Sequence, residues 1–314
     1  MKLPELRIGN LLPKYPIIQG GMALRLSTAN LAAAVANAGG IGVIAASGMD
    51  LNELRQEIRA ARIKAQGIIG INIMFAVSKF KETVMTALDE GIDLVIQGAG
   101  FSKDIFQWCR EAGTPLVPIV SNTKGAIMAE KLGAGAVVVE GKEAGGHLGT
   151  LESLKAIFPE IKRSLSIPVV AAGGIVNARE MKEAFDMGAD GVQMGIRFAA
   201  SAEAGGADNL KQYYLKAKRE DIVVIQSPVG LPGRAIRNVF VDKLLAGEDL
   251  SPGKCENCLK KCSHSFCIMK ALDNAQRGDL DEGLIFSGEY IDEINEILPA
   301  GKIINDLVKE VEAM

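Results

Sequence analysis

The feature that most constrains this chain is a unit that recurs through its first two hundred residues: an amphipathic helical stretch, one or two glycines, then a short β-branched run. It occurs at Leu31–Ala38 with Gly39-Gly40 before Ile41–Ile44, at Val84–Glu90 with Gly91 before Ile92–Ile96, and at Phe106–Ala112 with Gly113 before Leu116–Val120. It returns at Ala126–Leu132 with Gly133 before Ala136–Val139, and at Glu180–Met187 with Gly188 before Val192–Met194. A glycine just past a helix takes the left-handed conformation that ends it, at no Cβ cost. The run after it is apolar on both sides of the pleat, as a parallel strand covered by helices must be. Adding Pro16–Gln19, Ile68–Ile73 and Pro168–Ala171 gives eight strands. Eight alternating units predict an α/β protein of the closed (β/α)8 TIM barrel type. An open doubly wound sheet is the competing topology, but no GxGxxG follows any strand, which counts against a dinucleotide-binding sheet.

After about Ala204 the rhythm stops. Residues 1–204 are therefore expected to form the barrel and residues 205–314 a C-terminal extension that covers its mouth. Within the extension the pattern predicts a helix over Asp208–Lys218, a loop at Ser227–Gly233, a polar Cys-rich segment at 255–267, and terminal helices over Ile268–Gln276 and Ile291–Val311. No low-complexity linker sets it apart as an independent domain. A hydrophobic fraction of 48% supplies a large core, while a net charge of −3 gives no footprint for nucleic acid or an anionic membrane. No apolar run reaches a bilayer span, and Met1–Arg7 is charged too early for a signal peptide. The expectation is a cytoplasmic protein acting on a small molecule, monomeric or homo-oligomeric.

In barrels of this kind the site lies at the C-terminal ends of the strands. Those ends carry Gln19-Gly20-Gly21-Met22-Ala23, Asn72-Ile73-Met74, Gln97-Gly98, Glu140 running on to Gly145-Gly146-His147, Ala172-Gly173-Gly174, and Gln193-Met194-Gly195. Small residues and neutral amides suit a flat, hydrogen-bonding heterocycle better than a highly charged substrate. Gly173, Gly174 and Gly195 follow the seventh and eighth strands, where backbone N–H groups can approach phosphate oxygens; tight turns alone would also use glycine there. Asn72 and Gln97 carry the donor and acceptor pairs that a flavin pyrimidine edge needs, although either can instead cap a helix or satisfy a loop. His147, one of only two histidines, sits in a Gly-rich loop at the rim and is the natural general acid or base. Cys255, Cys258, Cys262 and Cys267, with His264 among them, can be read as zinc or iron–sulfur ligands, as reduced surface thiols, or as a clip that orders the extension. Cys109 reads as core.

At these residues the chain resembles the nitronate monooxygenase (2-nitropropane dioxygenase) family, which includes the flavin-dependent type II enoyl-acyl-carrier-protein reductases. The matching pieces are Pro16–Met22, Gly39–Gly42, Gly70–Met74, Glu140–Gly149, Ala171–Ile175 and Gly188–Phe198, in the family's order. The resemblance implies a barrel holding FMN, with phosphate on the last two strand loops and His147 beside the isoalloxazine. Cofactor-binding residues would be Gly20, Gly21, Met22, Ala23, Asn72, Gln97, Glu140, Gly145, Gly146, Ala172, Gly173, Gly174, Gln193, Met194 and Gly195. It implies either nitronate oxidation with oxygen as acceptor, or reduction by NAD(P)H of an enoyl thioester on an acyl carrier protein or of a quinone. The Cys-rich segment is outside the family's general pattern. A flavin-free phosphate-binding barrel is the reading from another class. Its weaker resemblance to inosine monophosphate dehydrogenase lacks the Cys that enzyme needs after a barrel strand.

Overall fold

The computed structural model describes residues 1–100 and 102–314. Its elements begin β1 (Ile17–Gln19), α1 (Ala29–Asn37), β2 (Gly42–Ala45), α2 (Leu51–Lys64), β3 (Ile69–Met74), α3 (Phe80–Asp89), β4 (Leu94–Gly98) and α4 (Asp104–Glu111). They continue with β5 (Leu116–Val120), α5 (Thr123–Leu132), β6 (Val137–Glu140), β7 (Gly146–His147), α6 (Leu154–Arg163), β8 (Val169–Ala172), α7 (Ala178–Asp186), β9 (Gly191–Met194) and α8 (Ile196–Ala199). The chain ends with α9 (Asp208–Lys216), β10 (Ile222–Gln226), β11 (Pro232–Ile236), α10 (Val239–Leu245), α11 (Ile268–Arg277) and α12 (Ala300–Ala313).

The glycines that close the repeating unit behave as their positions require. Gly133 caps α5 at φ +95°, and Gly39, Gly91, Gly113 and Gly188 also have positive φ. Each turn returns the chain to the sheet, so every barrel strand is parallel to its neighbours in the order β1-β9-β8-β6-β5-β4-β3-β2. Between β1 and β2 the Ile41 amide donates to Ile17 O at 2.9 Å and the Gln19 amide to Ile41 O at 3.0 Å, closing the ring. Gln19 reinforces that seam: its Oε1 accepts from Val43 N at 2.9 Å and its Nε2 donates to Ser27 Oγ at 2.9 Å.

Alternation along each strand separates two apolar layers. Ile18, Val43, Leu94, Ile96, Val138 and Val170 point into the barrel. Leu6 and Ile8 join them and plug the end opposite the mouth. Ile44, Ile71, Val95, Val139 and Val192 point outward into the layer shared with the helices. Cys109 lies in that outer layer, and burial pushes its thiol up to about 12.

The segment after β9 divides in its placement. Residues from α9 to Ile294 form two further apolar clusters at the mouth side, around Leu210, Tyr214 and Ile285 and around Phe240, Phe266 and Leu284. The strands β10 and β11 pair antiparallel, and β11 pairs with β7. The last helix, α12, packs on α7 and α1 in the outer ring, following β9 around the barrel. The helix expected over Ile291–Val311 is broken. Ile291–Glu293 forms one 3-10 turn, and α12 starts only after Pro299, whose φ is −57°. Proline disfavours helical geometry in the residue before it, while its fixed φ suits a helix start. No helix among the described residues is long and apolar enough to cross a membrane.

Tight helix-on-strand packing makes a specific demand at the start of β2. A Cβ on Gly42 would stand 1.9 Å from Ala32 O of α1. Gly42→Val is expected to destabilise the fold by about 3 kcal/mol, read as a lower urea midpoint at unchanged slope. An unchanged midpoint would contradict this contact.

Candidate active site

A cavity of about 230 Å³ lies at the C-terminal mouth of the barrel. Thirteen of the fifteen expected cofactor residues line it: Gly20, Gly21, Met22, Ala23, Asn72, Glu140, Gly145, Gly146, Ala172, Gly173, Gly174, Gln193 and Gly195. Gln97 and Met194 do not. Both are excluded by the period-2 alternation of a strand. Gln97 shares the outward face of Val95, fully buried, and neither its Oε1 nor its Nε2 has a partner among the described residues. Met194 packs in the outer apolar layer with Val192, while Gln193 between them faces the cavity.

Backbone proximity shapes the mouth. A Cβ on Gly21 would lie 2.2 Å from Asn72 Cβ, and one on Gly141 would lie 2.3 Å from Leu154 N. The loop after β6 is fixed from both sides. The Glu143 carboxylate accepts from Leu154 N at 3.0 Å, and the Glu143 carbonyl accepts from Glu289 N at 3.0 Å. A Cβ on Gly145 would lie 2.6 Å from the Ser287 carbonyl carbon, so the 284–290 segment rests directly on this loop.

His147 owes its position to strand pairing: it stands opposite Gly233, and Gly146 opposite Arg234. Its Nε2 lies 2.8 Å from Ser227 Oγ, the donor depending on the tautomer, and its ring meets Phe286 edge-on at 5.2 Å. Burial holds its pKa down at about 4, so the imidazole is neutral at physiological pH. Glu140 sits at the end of β6 on the same cavity wall. Burial pushes its carboxyl up to about 8, which keeps it largely protonated at neutral pH. Two titratable groups of one cavity are thus displaced in opposite directions, the pattern that separates a base from an acid.

Next to Glu140, which pairs with Ala172, the ends of β8 and β9 line the cavity with backbone amides. Among the described residues the backbone N–H groups of Gly173, Gly174 and Gly195 donate to no backbone carbonyl. A Cβ on Gly195 would meet nothing within 4 Å and so points into open space, whereas one on Gly174 would lie 2.8 Å from Tyr290 Cε2. The N-terminus of α7 is already served by Asn177, whose side chain accepts from Arg179 N and Glu180 N. Gln193 Oε1 is buried without a partner among the described residues. Free amides, an unfilled cradle and an orphaned amide oxygen fit a phosphorylated, hydrogen-bonding heterocycle such as a flavin nucleotide.

Several residues here escape reading from the strand ends. Ser227, Phe286 and Tyr290 all come from the excursion after β9, and Arg219 stacks on the Tyr290 ring at 4.5 Å. The Ser227–Gly233 stretch reads as a turn from its Pro and Gly content; nothing in its spacing shows that it reaches His147. Leu26, Leu210, Leu272, Leu284 and Ile285 give the cavity an apolar arm. The cysteines expected as metal ligands lie away from this lining. All are free thiols, and among the described residues no three His, Cys, Asp or Glu side chains are arranged to hold a metal ion.

Comparison with known proteins agrees with this architecture. FabK from Thermotoga maritima superposes with a TM-score of 0.88 at 35% identity, covering 96% of this chain and 94% of that one. A nitroalkane oxidase from Streptomyces ansochromogenes has the same fold, with a TM-score of 0.82 at 24% identity and 96% of each chain covered. A probable nitronate monooxygenase of Staphylococcus aureus is 28% identical, over 95% of this chain and 94% of its own length. A 5-hydroxy-7a-methyl-1-oxo-octahydro-1H-indene-4-carboxyl-CoA dehydrogenase of Mycobacterium tuberculosis is 31% identical over 74% of this chain. The match spans 66% of that dehydrogenase, and 65% of its Rhodococcus jostii counterpart. The nitronate monooxygenase family model matches residues 5–83 and 64–310, nearly the whole chain. That match over most of the chain shows that it belongs to the nitronate monooxygenase family.

Proposed function

We propose that the protein is an FMN-dependent oxidoreductase that oxidises nitronates, with oxygen as electron acceptor. The observation that carries this is the mouth cavity lined together by Gly173, Gly174 and Gly195, whose amides have no backbone partner among the described residues, and by a neutral imidazole and a protonated carboxyl. FMN, when bound, supplies the two-electron redox chemistry. The chain supplies position and protons. Gly173, Gly174 and Gly195 would hold the phosphate through N–H donors, while Asn72 and Gln193 would offer amide groups to the ring system. Neutral His147 accepts a proton from substrate, its ring orientation fixed by Ser227 and Phe286. Glu140 holds a proton that it can donate. The 284–290 segment lies over the glycine loop and limits the access of water.

A second reading has its own support. The apolar arm around Leu26, Leu210, Leu272 and Ile285 suits an acyl chain, and the likeness to FabK and to a CoA-thioester dehydrogenase points the same way. In that reading NADH or NADPH is the electron donor, an enoyl thioester on an acyl carrier protein is the acceptor, and His147 positions or protonates. Anaerobic mixing of the flavin-loaded protein with a nitronate, NADH and NADPH in turn separates the two. Bleaching by the nitronate alone supports the oxidase, and bleaching by a nicotinamide alone supports the reductase.

Three outcomes follow from the site. Gly195→Asp puts a carboxylate into the open space meant for phosphate, so the purified variant should contain little or no FMN; full FMN content would contradict the assignment. His147→Ala should retain FMN and slow turnover by about a hundredfold, and unchanged turnover would remove the imidazole from the reaction. The pH behaviour of His147 has a definite sign. Its pKa is lowered on folding from 6.5 to about 4, so its contribution to stability is whole above pH 6.5 and is lost as pH falls toward 4. Nitrogen NMR of the imidazole, assigned with His147→Ala, should show a neutral ring at pH 5.5; a charged ring at that pH would contradict the burial described.

A further inference from the structure

Three stretches of chain meet around His147: the glycine loop 141–147, the strand β11, and residues 284–290. The loop and the strand share only two residue pairs, His147 with Gly233 and Gly146 with Arg234. So short a ladder fixes little by itself. One side chain joins all three stretches. Arg234 donates from its Nε to the Lys142 carbonyl at 3.0 Å, and its guanidinium lies 3.7 Å from the Glu289 carboxylate. Its own carbonyl accepts from Ser287 N at 3.3 Å, while Glu289 N donates to the Glu143 carbonyl at 3.0 Å. Arg234 is only 9% exposed, in a strand whose next two residues, Ala235 and Ile236, are buried and apolar. A charge taken out of water is costly, and a well-packed apolar residue often stabilises as well or better. What arginine adds is a planar fork that can serve a carbonyl and a carboxylate at fixed angles. That is a means of orientation rather than of stability.

We propose that Arg234 is a positioning residue that latches residues 287–290 onto the glycine loop and thereby keeps the His147 ring packed and dry. The role rests on the reading above that His147 exchanges a proton with substrate. Release of the latch is local. The 284–286 end of the segment stays paired with β11, because Ile236 N donates to Ile285 O at 2.8 Å and Ala235 bridges to Phe286. The 287–290 end depends on Arg234 and on the Glu289 amide. When that end lifts, water reaches the imidazole beside Phe286, whose ring it meets at 5.2 Å. Burial alone holds the His147 pKa down at about 4, with Glu140, Glu143, Tyr214 and Tyr290 the other titratable groups of the cavity lining. Hydration of the ring therefore raises that pKa toward 6.5.

The test combines amide hydrogen exchange with an NMR titration of the His147 imidazole in the flavin-loaded chain. Neither uses turnover, so the latch stands or falls apart from the choice of substrate. Arg234→Met should speed exchange at the Ser287 and Glu289 amides about tenfold, while Val95 and Val137 in the barrel keep the wild-type rate. The imidazole pKa should rise in this variant. Loss of a nearby cation would raise it too, so Glu289→Gln is the discriminating partner: loss of an anion lowers a histidine pKa, whereas entry of water raises it. A rise in both variants is expected, and Arg234→Lys, which lacks the fork, should fall between Arg234→Met and the unaltered chain. Unchanged exchange at Ser287 and Glu289 in Arg234→Met, or exchange sped equally throughout the barrel, would overturn the latch. If Arg234→Met does not fold, Glu289→Gln carries both readouts, and an imidazole pKa that falls or stays there would overturn it.

Discussion

Close packing against glycine backbone at the barrel mouth is the constraint on which the rest of this structure depends. Where Gly21 meets Asn72, Gly141 meets the first turn of α6, and Gly145 meets Ser287, a single methyl group would force the elements apart. These contacts bring the loop after β6 under the 284–290 segment and bring β7 alongside β11. That ladder, only two residue pairs long, is what carries His147 to the rim. Glycine here trades conformational entropy for proximity, and the proximity creates both the cavity and its chemistry.

Burial follows from the same contacts and sets the protonation states. A histidine that loses water without gaining a counter-charge gives up its proton, and a carboxyl in the same position keeps one. His147 and Glu140 are displaced in opposite directions by this one cause, desolvation. A proton acceptor and a proton donor therefore coexist at neutral pH in one cavity, beside the backbone N–H groups at the ends of β8 and β9. That arrangement suits a cofactor with an anionic tail and a neutral, polar ring.

Most of the barrel is legible in the sequence because its determinants are local. A glycine ending a helix, a β-branched run and an alternating pair of amides each act within a few residues, and eight repetitions leave few topologies. The same alternation that gives the strands also decides Gln97 and Met194. Once Gln193 faces inward, its neighbour must face outward, and Gln97 follows the face of Val95. The excursion after β9 resists reading because its contacts are long-range. Ser227 lies 80 residues from His147, and Phe286 and Tyr290 reach the mouth through packing that no periodicity announces. Pro299 is a local signal of a different kind: the helix expected over Ile291–Val311 ran through it, although a proline there sets the start of α12.

The amide wall is tested most directly by titrating flavins into cofactor-free protein and following fluorescence quenching, with FMN and riboflavin compared side by side. If the N–H groups of Gly173, Gly174 and Gly195 grip a phosphate, FMN should bind at least a hundredfold tighter, about 2.7 kcal/mol. Equal affinity for the two flavins, or no quenching by either, would contradict it.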